Sequence, residues 1–359
     1  MTRYFTFLVL FVALGVKAQD VTPIVDFNNY FKSFQNGFFR QIEFQPVTGI
    51  KYGDNVVAYF DNRSNLRVYD GSAPRDLANV DAEYEVSDNL MIWKIGPTLN
   101  LWDDGDLKTL TYFANRYTVT DSLVVFEDTR FNTVNVYYNK EIYTIVNAVG
   151  ELTMPDHIGE NIIAFRDNGD VYKVFWRGKM YELGSWHDPV KFKGQTDILA
   201  FNDPINGTFA IFENGQFLDL EMFFVNEYKA GQDFVSYTDL NGNLKYYKKG
   251  KVQTLSNFGP SFWEVNDNVV VWGENNIFYS LVDGKKTEIA RFIPKDYAIK
   301  NSVIAFRNQM GGVSAVVDGK ITELTNQMDA VYTLHGNAVL VELFNKSFIF
   351  FKDGKKYRL

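Results

Sequence analysis

Three groups of side chains in this 359-residue chain carry chemistry-capable atoms at suggestive places. The first is a set of carboxylates, Asp54, Asp88, Asp121, Glu160 and Asp267, each opening a short polar turn before an apolar run. Gathered at one rim, such carboxylates would bind cations or a basic partner. As repeated turn residues they would simply be solvated. The second group is histidine beside aspartate, Asp156-His157 and His187-Asp188, with His335 apart from both. A metal or acid–base pair is conceivable there, yet no ligand spacing supports it. The third comprises Asp103-Asp104-Gly105-Asp106, Asp167-Asn168-Gly169-Asp170 and Asp239-Leu240-Asn241-Gly242-Asn243. The last two look like pieces of calcium loops but lack the regular oxygen spacing and the distal Glu. Turn chemistry of Asx residues accounts for them without a ligand.

Other chemistries find no support. The chain has no Cys, which removes thiolate nucleophiles, thiolate metal sites and disulfides. There is no G-x-S-x-G elbow, phosphate loop or dinucleotide fingerprint. Ser185-Trp186-His187-Asp188 is contiguous, which is not how catalytic triads assemble. The expectation is therefore no catalytic residue, no cofactor and no metal.

The elements that carry these residues are set by an internal repeat. A polar residue, often a second, then a mostly apolar run recurs as Asp54-Asn55-Val56-Val57-Ala58-Tyr59 and Asp88-Asn89-Leu90-Met91-Ile92-Trp93. It returns at Asp121, Glu160, Thr196, Gln232, Asp267, Asn301 and Gly336, with steps of 33 to 39 residues. A second landmark keeps the same step: turns at Asn36-Gly37, Asp70-Gly71, Asp104-Gly105, Arg177-Gly178, Asn214-Gly215, Lys249-Gly250, Asp283-Gly284, Asp318-Gly319 and Asp353-Gly354, with Asn139-Lys140 filling the gap. Asn-Gly and Asp-Gly between apolar runs predict two-residue hairpins.

One cycle reads as four strands: d over 296–300, a over 303–307, b over 313–317 and c over 320–324. Strand a is almost continuously apolar and so buried on both faces, while b alternates. The d–a connection is too short to cross a sheet, which puts d innermost and c outermost. The c–d segment is then the crossover to the next sheet. Short four-stranded sheets repeated in series predict an all-β fold, a single β-propeller with about 35 residues per repeat.

The unit Asn161-Ile162-Ile163-Ala164-Phe165, Asp170-Val171-Tyr172, Gly178 and Leu183 resembles a TolB-type propeller repeat. The resemblance covers residues 47–359 in pattern, with Asp-Asn in place of that family's Ser-Pro-Asp-Gly turn. It implies a propeller and no particular activity. Phased as d-a-b-c, residues 47–359 hold about nine repeats, and 28–44 form a spare N-terminal hairpin, so eight to nine blades are expected.

Residues 1–18 read as a signal peptide: Arg3, an apolar stretch over 5–16, and Val16-Lys17-Ala18 as a small-x-small cleavage signal. The stretch resembles signal peptides of Bacteroidetes and is shorter than the roughly 20 residues of a membrane span. The propeller would then occupy 19–359, with Gln19 first. Loss of Arg3 and Lys17 takes the formal charge from −8 to −10. An acidic chain whose only basic runs, Lys248 to Lys251 and 352–356, sit at turns excludes nucleic acid as a partner class.

The expected protein is an exported, periplasmic, non-catalytic scaffold for a protein partner, as in an envelope or outer-membrane assembly. Its contact face would carry the a–b turns and c–d crossovers. Candidate contact residues are the crossover aromatics Phe113, Trp186, Phe223, Phe224, Phe258, Phe262 and Phe292. Two alternatives are a glycan-binding or glycan-cleaving channel, which needs paired carboxylates or an aromatic platform, and a pore-occluding plug.

Overall fold

The computed structural model describes residues 21–35 and 37–359. The proposed signal peptide lies outside them. The described chain is all β: nine four-stranded sheets follow one three-stranded sheet, each built from consecutive antiparallel strands. Blade 1 comprises Thr22–Val25, Tyr30–Gln35 and Phe38–Pro46. Blades 2 to 10 occupy 48–78, 83–111, 114–147, 157–185, 193–221, 228–256, 262–290, 297–325 and 331–358. Blade 9 runs Tyr297–Lys300, Val303–Arg307, Val313–Val317 and Lys320–Thr325, within one residue of the strands expected from the repeat.

There are ten blades, not eight or nine. The hairpin over 28–44 is not spare, because Thr22–Val25 pairs with Tyr30–Gln35 and supplies strand a of a further blade. That strand is short and contains Pro23, which hides it from strand propensity. One repeat step back from Asp54 lands on Gln19-Asp20, so the polar landmark was present but adjoined the proposed cleavage point.

Strand a is packed from both sides, as its apolar run requires. Val57 and Tyr59 face blade 1, whereas Val56 and Ala58 face blade 3. Met91 and Trp93 in turn face blade 2, and Leu90 and Ile92 face blade 4. The aromatic that ends strand a fills this layer repeatedly: Tyr59, Phe126, Phe165, Phe201, Tyr237 and Trp272 are each at most 2% exposed. Strand b is more buried than its alternation implied, as in Thr133–Tyr138.

The b–c turns follow their sequences. At Asp283-Gly284 φ is 47° and 79°, and at Asn139-Lys140 it is 48° and 69°, so both central residues are left-handed. Asp70-Gly71 departs: only Gly71 is left-handed, and Asp70 Oδ1 accepts the Ser72 N–H at 3.0 Å across a longer loop.

Closure needs no strand exchanged between the first and last blades among the described residues. Ile24 and Phe34 of blade 1 pack on Ala338, Leu340, Phe348 and Phe350 of blade 10. The Phe34 and Phe350 rings lie 4.2 Å apart. On the inside, Tyr52 of blade 2 meets His335 of blade 10 with ring centroids at 4.6 Å.

Candidate functional site

The d–a turns come together on the inner rim, as the repeat required, but their carboxylates are not free solvated groups: Asp54 is buried and the other four are half-buried. Each accepts a backbone N–H from another blade, and for Asp88, Asp121 and Glu160 the donor is on the preceding one. Asp54 N–H donates to Asp88 Oδ1 at 3.0 Å, Asp88 N–H to Asp121 Oδ1 at 2.6 Å, and Asp121 N–H to Glu160 Oε2 at 2.6 Å. Glu160 N–H continues to Gln195 O at 2.5 Å. Asp267 receives Gln195 Nε2 at 2.8 Å and Asn301 N–H at 2.7 Å. Asp54 closes the circuit by accepting Gly336 N–H at 2.8 Å and Asn301 Nδ2 at 2.8 Å. The acidic landmark is thus an inter-blade staple.

Among the described residues Lys300 is the cation within ion-pair distance of these five carboxylates. Lys300 Nζ lies 2.6 Å from Asp54 Oδ1 and 2.8 Å from Asp88 Oδ1. Burial pushes Asp54 up, but the Lys300 hydrogen bond and charge outweigh it and hold the carboxyl below its usual range. Burial, then the charge of Asp54, raises Asp88 despite the lysine. Farther from Lys300, burial followed by the Glu160 and Asp88 carboxylates pushes Asp121 up to about 8. Glu160 is raised mainly by burial. Burial alone would lower Lys300, but its two carboxylate partners raise it. Asp121 therefore favours its protonated form at neutral pH, and the rim oxygens are occupied by N–H donors and the Lys300 ammonium. A channel glycosidase would need a carboxylate pair free to meet substrate.

The histidines do not converge. His157 is the first residue of the inner strand of blade 5 rather than a crossover residue, and its Nε2 lies 2.9 Å from Gly194 N of blade 6. Burial lowers its pKa. It is an inter-blade contact, and its Nε2 is engaged by Gly194 rather than by a metal or an acid–base partner such as Asp156. His187 is exposed in the next crossover. His335 is 3% exposed with Nδ1 unpartnered, and burial followed by the Lys300 charge lowers it to about 4. No group of acidic residues and histidines with metal-binding geometry occurs among the described residues.

The calcium-like fragments are Asx turns. Asp167 Oδ1 accepts N–H from Gly169 at 2.8 Å and Val171 at 3.1 Å. Asp239 Oδ1 does the same for Asn241 and Asn243, both at 2.9 Å. A basic residue six positions on occupies the place of a cation: Lys173 at 2.6 Å, Lys245 at 3.5 Å, and likewise Lys32 at 3.1 Å from Asp26 and Arg67 at 3.7 Å from Asp61. Sequence reasoning missed this device, although an Asp with a basic residue at the sixth position recurs in four repeats.

The crossover aromatics divide. Phe113, Phe224 and Phe258 are 40%, 48% and 68% exposed. Trp186 stacks on Tyr172 at 4.6 Å, and Phe223 and Phe292 pack into inter-blade clusters. Phe262 begins the inner strand of blade 8 instead of lying in a crossover, and it stacks with Tyr297 at 6.0 Å. Further exposed apolar residues lie in the a–b turns, which share the face of the crossovers. Phe131, Leu240, Met310 and Phe344, each at least 68% exposed, occupy a–b turns. Among the described residues no exposed large apolar side chain sits in a d–a or b–c turn. The turns of the two faces are therefore chemically distinct, although the outer strands next to the b–c turns also expose Phe38, Leu107 and Val252.

Ten consecutive small sheets with inner-rim staples define a β-propeller. The 10-bladed beta propeller domain family matches residues 15–357, and the chain belongs to that family. No curated protein matches it. Among solved structures it is similar to the computationally designed Ika8 protein, at 13% identity and TM-score 0.37, covering 95% of this chain and 99% of that one. It is similar also to yeast RCC1 (Prp20) crystallised with Kap60, at 11% identity and TM-score 0.31 over 66% of this chain and 70% of the other. Hsv2 of Kluyveromyces marxianus follows at 9% identity and TM-score 0.31 over 68% and 99%.

Proposed function

We propose that this propeller is a non-catalytic interaction scaffold that binds a protein partner through the face carrying its a–b turns and c–d crossovers. The observation that supports the reading is that the turns and crossovers of that face carry exposed apolar side chains such as Phe258, Met310 and Phe344, while the d–a and b–c turns among the described residues carry none, the b–c turns being built largely of Asp-Gly, Asn-Gly and Lys-Gly pairs. Exposed aromatics and methionines on a rigid frame are the residues that anchor protein interfaces. An exported, periplasmic location within an envelope or outer-membrane assembly is part of the proposal and rests on residues 1–18. Kinship with TolB-type repeats belongs to the same reading and rests on the pattern around Ile162 to Leu183. No helix among the described residues is long and apolar enough to cross a membrane.

The test is site-specific photocrosslinking in the native host. A crosslinker at Phe258, Met310 or Phe344 is expected to give discrete adducts in the envelope fraction, and one at Asp283 or Asp353 is not. Equal labelling from both faces, or none from either, overturns the reading.

A further inference from the structure

Blades 4 and 5 carry the most irregular part of that face. The crossover between them belongs to the longest repeat step, 39 residues, and it walls a cleft of about 350 Å³ with the a–b turn of blade 5. The crossover is pinned from both sides. Asn132 Nδ2 donates to Ala148 O at 2.8 Å and Gly150 O at 3.0 Å, Arg116 Nη2 donates to Leu152 O at 2.5 Å, and Asn168 Nδ2 donates to Asn147 O. The cleft is therefore preformed.

Its lining is amphipathic. Val146, Met154 and Phe165 supply apolar wall, while Glu151, Asp156, Asp167 and Asp170 supply carboxylates. Two of these are committed: Asp167 to Lys173 at 2.6 Å and Asp170 to Arg166 at 3.7 Å. Among the described residues Glu151 and Asp156 have no cation within ion-pair distance, and burial raises the Asp156 carboxyl above its usual range. Arg166, the one basic residue of the lining, lies over the Tyr172 ring at 4.9 Å.

An apolar platform adjoins the cleft. Phe131 directly precedes the Asn132 that holds the crossover, and it is 68% exposed, with Val149 at 90% and Tyr112 at 65%. Arg130 sits over the rings of Phe113 and Phe131 at 5.4 and 5.3 Å, so those rings are held rather than free. The cleft and platform together match one occupant: an apolar side chain followed by an ammonium group on an aliphatic stem.

We propose that the blade 4–blade 5 sector docks a lysine-bearing, apolar segment of the partner protein. The lysine stem lies along Met154 with its ammonium between Glu151 and Asp156, and the apolar residue covers Phe131 and Val149. Charge complementarity chooses this occupant over an acidic segment, since the two uncommitted charges in the cleft are both negative. The proposal rests on the scaffold reading and names the partner chemistry for it.

The experiment uses the purified full chain and synthetic peptides. Each peptide has a leucine or phenylalanine followed by lysine, norleucine or glutamate. The lysine series is expected to bind about tenfold more tightly than the glutamate series, with the preference shrinking as salt rises. The double variant E151Q/D156N removes the preference. F131A weakens all three series alike, and M328S on the far side of the face changes nothing. Binding without lysine preference, no binding by any series, or a preference that survives in E151Q/D156N overturns the proposal. Crosslinks from Val149 separate the two levels: adducts at Met310 but not at Val149 refute this sector alone, whereas adducts nowhere refute the scaffold reading beneath it.

Discussion

Replacing Lys300 by Met tests whether the inner rim is held by charge. Among the described residues the ammonium is the cation paired with the five-carboxylate series, and it sits 2.6 and 2.8 Å from Asp54 and Asp88. The methionine keeps the stem and its packing but strands two largely buried carboxylates. Breaking a buried pair from one side costs about 3–5 kcal/mol. Because Lys300 keeps 23% side-chain exposure, the low end applies, about 3 kcal/mol at pH 8. The pH dependence carries the sharper signature. In the parent, Asp54 is held below its unfolded value, so its contribution is present above the unfolded pKa and lost as pH falls through the folded one. In the variant both carboxyls rise above their unfolded values, and the folded form then prefers to keep protons. The deficit relative to the parent should therefore shrink on acidification, to roughly half by pH 5. Urea denaturation at both pH values reads it directly. A deficit below about 1 kcal/mol at pH 8, or one equal at both pH values, refutes the account.

Three further outcomes follow from the same geometry. Asp121 is raised to about 8, so its contribution favours the fold at low pH and is lost as pH rises through that value. D121N keeps the acceptor for Asp88 N–H, and should exceed the parent in stability at pH 8.5 by about 1–3 kcal/mol, with the gap closing progressively as pH falls from about 8 toward the unfolded carboxyl value of about 4; a parallel pH profile would contradict this. D239A removes the acceptor for two N–H groups and the Lys245 contact, and should cost about 1–2 kcal/mol by urea titration with no change on adding calcium. Gly53 leaves no room for a side chain, because a Cβ there would lie 1.9 Å from the Ser87 carbonyl oxygen of the next blade. G53A should lower the melting temperature by several degrees or prevent soluble accumulation, and an unchanged melting curve would show that the blade 2–blade 3 turn can shift.

The repeat was legible because both of its landmarks are local. A two-residue turn with positive φ and a doubly buried strand each leave a composition signature a few residues long. Blade 1 escaped because its strand a, Thr22–Val25, carries a proline and its landmark adjoins residues assigned to export. The rim carboxylates were placed correctly on one edge, but their role was not readable. Whether Asp88 faces water or the Asp54 N–H depends on how close consecutive turns approach, and spacing along the chain does not encode that distance. Aromatic exposure failed for a related reason: Phe223 and Phe224 are adjacent in sequence, yet one packs into an inter-blade cluster and the other is 48% exposed.

Every described blade is made of its own consecutive strands, so the growing chain can complete each one as it leaves the ribosome. Strand partners lie close along the chain, which keeps the entropy of pairing small and the folding order vectorial. The first and last blades must find each other over a long separation, and they meet through Phe34 and Phe350 rather than a shared strand, while Asp54 of blade 2 ties the inner rim to Asn301 and Gly336 of blades 9 and 10. A ring closed in this way does not depend on a particular terminal strand to count its members. A unit gained or lost by duplication needs one new rim contact and a small change in the angle between neighbours. That makes an unusually large ring reachable by the same copying that wrote its sequence.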